Sequence, residues 1–141
     1  MASRRIEDCH PLLAEALRSC VDQWQRMDLD ILITCTWRPQ DEQARLYAQG
    51  RTAPGRIVTN ARPGYSAHNY TIDGMPASLA FDIVPLTGGK PVWETKGAAR
   101  ELWTRAAQPA KALGLRWYGD PGSAFQEYPH FQHPLWDSVK P

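Results

Sequence analysis

The chain has 141 residues, with 16 basic against 15 acidic side chains and a formal net charge of +1. That length fits one domain able to bury roughly two-thirds of its unfolded surface, so neither metal nor disulfide is needed merely to build a core. The near-neutral balance excludes a nucleic-acid or membrane-surface partner recruited by bulk charge.

The cysteines, Cys9, Cys20 and Cys35, form neither an even-numbered framework nor a CxxC pair, which argues against a disulfide scaffold. Cys20 and Cys35 sit in apolar segments and read as small buried hydrophobes. The N-terminal residues 1–8 carry no apolar run after Arg4 and Arg5, so no signal peptide is expected. No stretch approaches the ~18 apolar residues of a membrane span, so no membrane insertion is expected either.

From Pro11 to Met27, residues Leu12, Leu13, Ala16, Leu17, Cys20, Val21 and Trp24 recur at three- and four-residue steps, which predicts an amphipathic helix. Ile31 to Thr36 is rich in β-branched residues and free of charge, the pattern of a buried strand ending at Trp37-Arg38. Pro39 can open a second helix through Gln49, stopped by Gly50. Residues 51–66, with Pro54, Gly55, Asn60, Pro63 and Gly64, predict a long ordered loop of the kind that often carries function.

Leu79 to Pro85 reads as a second strand and 86–90 as a turn. Thr95 to Leu113 reads as a third helix, kinked at Pro109 and ended by Gly114. Short strands over 115–118 and 128–132 flank a Gly119-Asp120-Pro121-Gly122 turn. The expected fold is α+β, helices packed on a small, mainly antiparallel sheet, with residues 1–141 forming a single domain and no linker to separate a second module.

Two imidazoles and two carboxylates stand out as candidate chemistry. His68 lies in a small polar loop, Ser66-Ala67-His68-Asn69, and His130 lies beside an acidic residue in Glu127-Tyr128-Pro129-His130. With Asp82 they could supply three zinc ligands and leave a position for water, while Glu127 moves the water's proton. His10 precedes Pro11 at a helix start and reads as structural; His133, an odd offset from His130, would point to the other strand face. The same parity places Glu127 and His130 on opposite faces of a perfect strand, so a bend is required, and Pro129 supplies a reason for one.

Thr36-Trp37-Arg38, Gln43, Leu46 to Thr52, Pro54-Gly55, Val58 to Ala61, Ser66 to Tyr70, Leu79 to Val84, Leu113 to Trp117 and Pro129-His130-Phe131 together resemble the M15 zinc peptidases. The likeness covers residues 30–133 and is strongest to phage endolysins of the L-alanyl-D-glutamate peptidase type, relatives of the D-Ala-D-Ala carboxypeptidases and dipeptidases. It implies Zn2+ bound by His68, Asp82 and His130, Glu127 as general base, and Arg38 facing the substrate carbonyl as oxyanion stabiliser.

The resemblance further implies hydrolysis of a peptidoglycan stem-peptide amide, with L-Ala–D-Glu the favoured bond; a monomer is expected, and the balanced charge argues against a nucleic-acid partner. Such a lysin would be made in the host cytoplasm and reach the periplasm through a holin. The rival readings are a D-Ala-D-Ala carboxypeptidase or dipeptidase and a catalytically inactive wall-binding module.

One departure stands out. The family places its Asp about seven residues after the first His, whereas Asp82 lies fourteen residues after His68, with residues 71–78 intervening. Asp73-Gly74 is a turn signal, so this segment is expected to be an inserted hairpin tip. Asp73 remains the competing ligand.

Overall fold

A computed structural model describes residues 1–123 and 125–141. The first amphipathic stripe forms helix α1 (Pro11–Arg26). His10 caps it by accepting the Leu12 N–H at 3.1 Å, and Pro11 sits where a missing N–H costs nothing. Strand β1 (Asp30–Cys35) follows, then helix α2 (Gln40–Ala48), for which Pro39 serves as N-cap rather than first helical residue. The long passage 51–66 is irregular, as its Pro and Gly content predicts.

After a 3-10 turn at Ala67–Asn69, strands β2 (Thr71–Ile72) and β3 (Met75–Pro76) pair as a two-stranded antiparallel ribbon. Asp73 and Gly74 take φ of +52° and +77° at its tip, the left-handed pair that a tight hairpin turn demands. The extra residues after His68 therefore fold out as a separate finger. Strand β4 (Ala80–Thr87) is the longest of the sheet, and Gly88-Gly89 turns it into β5 (Lys90–Pro91).

Helix α3 (Ala98–Ala112) begins three residues later than its apolar pattern suggests, because Gly97 at φ +61° interrupts the approach. Pro109 is buried inside it. Strands β6 (Arg116–Trp117) and β7 (His130–Gln132) are shorter than the sequence pattern implies, and a four-residue helix α4 (Trp136–Val139), too short to leave a periodic signal, follows them.

The main sheet runs β1-β4-β7-β6 with β5 on the far end of β4, and every pairing is antiparallel. Strand β1 lies at the edge, so the buried strand expected over 31–36 is a half-exposed one, with Leu32 open to solvent. The α+β expectation of helices on a mainly antiparallel sheet holds.

Side chains alternating along β4 divide the molecule into two layers. Phe81 and Ile83 join the principal core, where α1 and α3 contribute Leu13, Leu17, Trp24, Trp103 and Ala106. The Trp24 indole donates to the Ala106 carbonyl at 2.8 Å, tying the two helices together across their shared apolar face. Leu79, Ala80, Ala67 and Trp136 form a smaller cluster. Asp82, the residue between Phe81 and Ile83, faces away from the helices.

Phe81 and Phe131 are cross-strand partners, fully buried, with rings stacked at 5.1 Å and 4° between planes. Replacing Phe81 with Ala leaves a cavity between the sheet and α3, and should lower unfolding free energy by about 3–5 kcal/mol in denaturant titration.

Candidate active site

Pairing of β4 with β7 sets Asp82 directly opposite His130, and pairing of β1 with β4 sets Cys35 opposite Asp82. The row Cys35, Asp82, His130 thus crosses three adjacent strands. His68 reaches it from the 3-10 turn, whose N-cap Ser66 accepts the His68 N–H at 3.2 Å. The Arg38 N–H donates to the His68 carbonyl at 2.9 Å, fastening the turn to the end of β1.

Both imidazoles are oriented by an acceptor behind them. His68 Nδ1 donates to the Thr36 carbonyl at 2.7 Å, which leaves Nε2 facing Asp82 Oδ1 at 3.1 Å. His130 Nε2 donates to Gln132 Oε1 at 2.8 Å, which leaves Nδ1 facing the same Oδ1 at 3.2 Å. Lone pairs of two imidazoles and one carboxylate therefore converge on one point, an arrangement that only a proton or a metal cation can satisfy. Fixing the far nitrogen of each ligating His with a carbonyl acceptor is how proteins set the tautomer for metal binding.

Protonation favours the same use. Burial lowers the His68 pKa and keeps the ring neutral, as a ligand must be. Burial alone would raise Asp82, but the charges and hydrogen bonds of His68 and His130 outweigh it and hold the carboxyl well below the usual range. For His130 the burial effect is likewise outweighed, and the bond to Asp82 raises its pKa, so a proton competes with any metal there.

Cys35, His68 and Asp82 also offer ligand atoms within 4.8 Å of one another. The thiol, however, lies 3.8 Å from His68 Nδ1, the nitrogen already committed to Thr36. Burial pushes the Cys35 thiol up to about 11, which disfavours the thiolate a metal requires. The donor set that fits a metal is His68 Nε2, Asp82 and His130 Nδ1. Asp73 stands on the exposed tip of the β2–β3 ribbon, whereas Asp82 touches both histidines.

Glu127 precedes β7, and the bend that parity demands is a turn closed by the His130 N–H on the Glu127 carbonyl at 3.2 Å. Its own N–H donates to the Tyr118 carbonyl at 2.9 Å. Burial raises the Glu127 pKa, only partly offset by His130, which brings the carboxylate nearer the strength of a working base. Arg38 is almost buried; it donates to Gln43 Oε1 at 2.8 Å and pairs with Asp82 Oδ2 at 3.6 Å. Its Nε has no partner among the described residues.

Arg38, His68, Asp82, Glu127 and His130 line a single cleft of about 610 Å³, with residues of the 58–66 loop forming another of its walls. Of the remaining histidines, His10 caps α1, and His133 Nδ1 accepts the Leu135 N–H at 2.9 Å, so both are structural. Gln132 and Gln43, which bond to His130 and Arg38, are neighbours of the candidate site with no role evident from sequence. Gln132 was findable, since an offset of two from His130 puts both on one strand face. Cys35 is buried, as its apolar segment predicts, and stands beside Asp82 on the neighbouring strand.

No family model matches the chain. Among curated proteins, the peptidoglycan L-alanyl-D-glutamate endopeptidase CwlK of Bacillus subtilis is 35% identical over 133 residues, spanning 89% of this chain and 73% of that protein. Among solved structures, the Serratia marcescens L-Ala D-Glu endopeptidase ChiX superposes with a TM-score of 0.64 at 16% identity, covering 98% of this chain and 92% of its own. The LD-carboxypeptidase LdcB gives 0.62 at 19% identity, covering 89% of this chain and 58% of its own. At those identities the two structures establish a shared fold.

Removing the acceptor behind His130 tests the candidate donor set without altering any of its members. Gln132→Ala should weaken zinc affinity by about 10–100-fold in a chelator-competition titration, while circular dichroism stays unchanged.

Proposed function

The chain belongs to the M15 peptidases, and from that premise we propose that it is a zinc-dependent peptidase of the peptidoglycan stem peptide cutting the L-Ala–D-Glu bond. The observation that carries this reading is the convergence of His68 Nε2, Asp82 Oδ1 and His130 Nδ1 in a cleft that also holds Glu127 and Arg38. A wall-binding module has no use for a half-buried carboxylate of raised pKa beside such a site. The bond preference comes from the kinship with CwlK, whose name states that specificity.

His68, Asp82 and His130 would hold the metal, with Thr36 and Gln132 fixing the two imidazoles from behind. When bound, zinc supplies Lewis acidity for the scissile carbonyl and for the attacking water. Glu127 takes the water's proton and passes it to the departing amine, a role suited to a carboxylate whose burial has raised its affinity for protons. Arg38 offers its guanidinium to the developing oxyanion from a nearly dry position, where one such donor is worth roughly 10²–10³ in rate. Its bond to Gln43 holds the guanidinium plane in place.

We read the protein as working in a single copy, on peptidoglycan rather than nucleic acid, in line with its balanced charge. No helix among the described residues is long and apolar enough to cross a membrane. A phage-lysin setting, with delivery to the periplasm through a holin, rests on the resemblance of the motifs to that group.

Glu127→Ala should keep wild-type zinc stoichiometry by elemental analysis and lose about 10²–10⁴ in hydrolysis rate. Mass spectrometry of digested muropeptides should find cleavage between L-Ala and D-Glu. Release of terminal D-Ala from an intact Ala–Glu stem would instead make the protein a carboxypeptidase.

A further inference from the structure

Among the described residues two arginines line the cleft, and only one of them is paired with a carboxylate. Arg38 is paired with Asp82 and bonded to Gln43. Arg62 has no carboxylate within ion-pair distance and no side-chain acceptor among the described residues. Its guanidinium instead lies over the Tyr65 ring at 4.7 Å, and both side chains border the cleft.

That stacking is built into the backbone. The Tyr65 N–H donates to the Arg62 carbonyl at 2.9 Å, closing a turn with Pro63 and Gly64 at its centre. Gly64 adopts φ +82°, which the third position of such a turn requires, and Pro63 suits the second. Asn69 Oδ1 accepts the Gly64 N–H at 3.1 Å, and Asn69 Nδ2 donates to the Arg38 carbonyl at 2.9 Å. Asn69 is the neighbour of His68, so the turn that presents Arg62 is bolted to the same segment that presents the metal ligand. An aromatic ring beneath a guanidinium fixes its plane and leaves the N–H edge free for a carboxylate.

Building on the proposed cleavage of L-Ala–D-Glu, we infer that Arg62 is a specificity-determining residue that reads the α-carboxylate of the D-Glu residue. In the stem peptide D-Glu continues through its γ-carboxyl, so its α-carboxylate stands one carbon from the scissile nitrogen. It enters a cleft that already contains Asp82 and Glu127, where like charge opposes it. Arg62 supplies the opposite charge that Arg38, committed to Asp82, does not. Stem peptides with this carboxyl amidated lose the contact.

The test compares two synthetic muramoyl tripeptides that differ only in a free or amidated α-carboxyl at the second residue. Wild type should favour the free acid in kcat/KM. Arg62→Gln should cut that preference roughly tenfold, chiefly through KM, the equivalent of ~1.4 kcal/mol. Arg62→Lys should keep part of it, since it retains charge without the planar fork. A wild-type enzyme indifferent to amidation, or a preference that survives Arg62→Gln, would overturn the inference while leaving the bond assignment intact. If wild type cuts neither peptide between L-Ala and D-Glu, the underlying reading falls and this one with it.

Discussion

The register between β4 and β7 is the constraint on which the rest depends. It makes two cross-strand pairs from adjacent residues, Phe81 with Phe131 and Asp82 with His130. The first pair is stacked in the dry core; the second points to the opposite face and forms half of the site. Because side chains alternate with a period of two, slipping either strand by one residue would bury Asp82 and His130 among α1 and α3 and put two phenyl rings in the cleft. Hydrophobic burial therefore enforces the geometry of the polar site, and no separate device is needed to align carboxylate with imidazole.

Asp82 then acts as the hub. One oxygen meets both imidazoles and the other meets Arg38, so the strand residue connects the candidate ligands to the candidate oxyanion donor. Holding an ionised carboxylate in a nearly dry place is costly unless it is paired, and here histidine on two sides and arginine on a third supply the pairing. The acceptors behind the rings, a backbone carbonyl at Thr36 and an amide at Gln132, extend the same order outward. The 58–66 loop closes the other wall of the cleft and is tied to this network through Asn69.

Much of this was legible in the chain where local physics decides the outcome. The apolar stripe of α1, the turn chemistry of Asp73-Gly74 and the bend before Pro129-His130 each arise from neighbours in sequence, and each is found in the fold. His68, Asp82, Glu127 and His130 could be picked out as one possible zinc-hydrolase set, Arg38 only through the family resemblance, and all five line one cleft. What escaped depends on long-range pairing. Nothing local marks β1 as an edge strand, or the buried Cys35 as the cross-strand partner of Asp82. The roles of Gln43 and Gln132 emerge only when α2 meets Arg38 and when β7 takes its register.

The central claim is that the metal is held by His68, Asp82 and His130, with Cys35 left outside as a protonated thiol. X-ray absorption at the zinc edge of the purified, zinc-loaded protein tests it most directly, because sulfur and light ligands sit at different distances. The account predicts a shell of nitrogen and oxygen alone at about 2.0–2.2 Å, with imidazole scattering beyond it. A sulfur shell at about 2.3 Å would place Cys35 on the metal and contradict the assignment, as would a protein that binds no zinc.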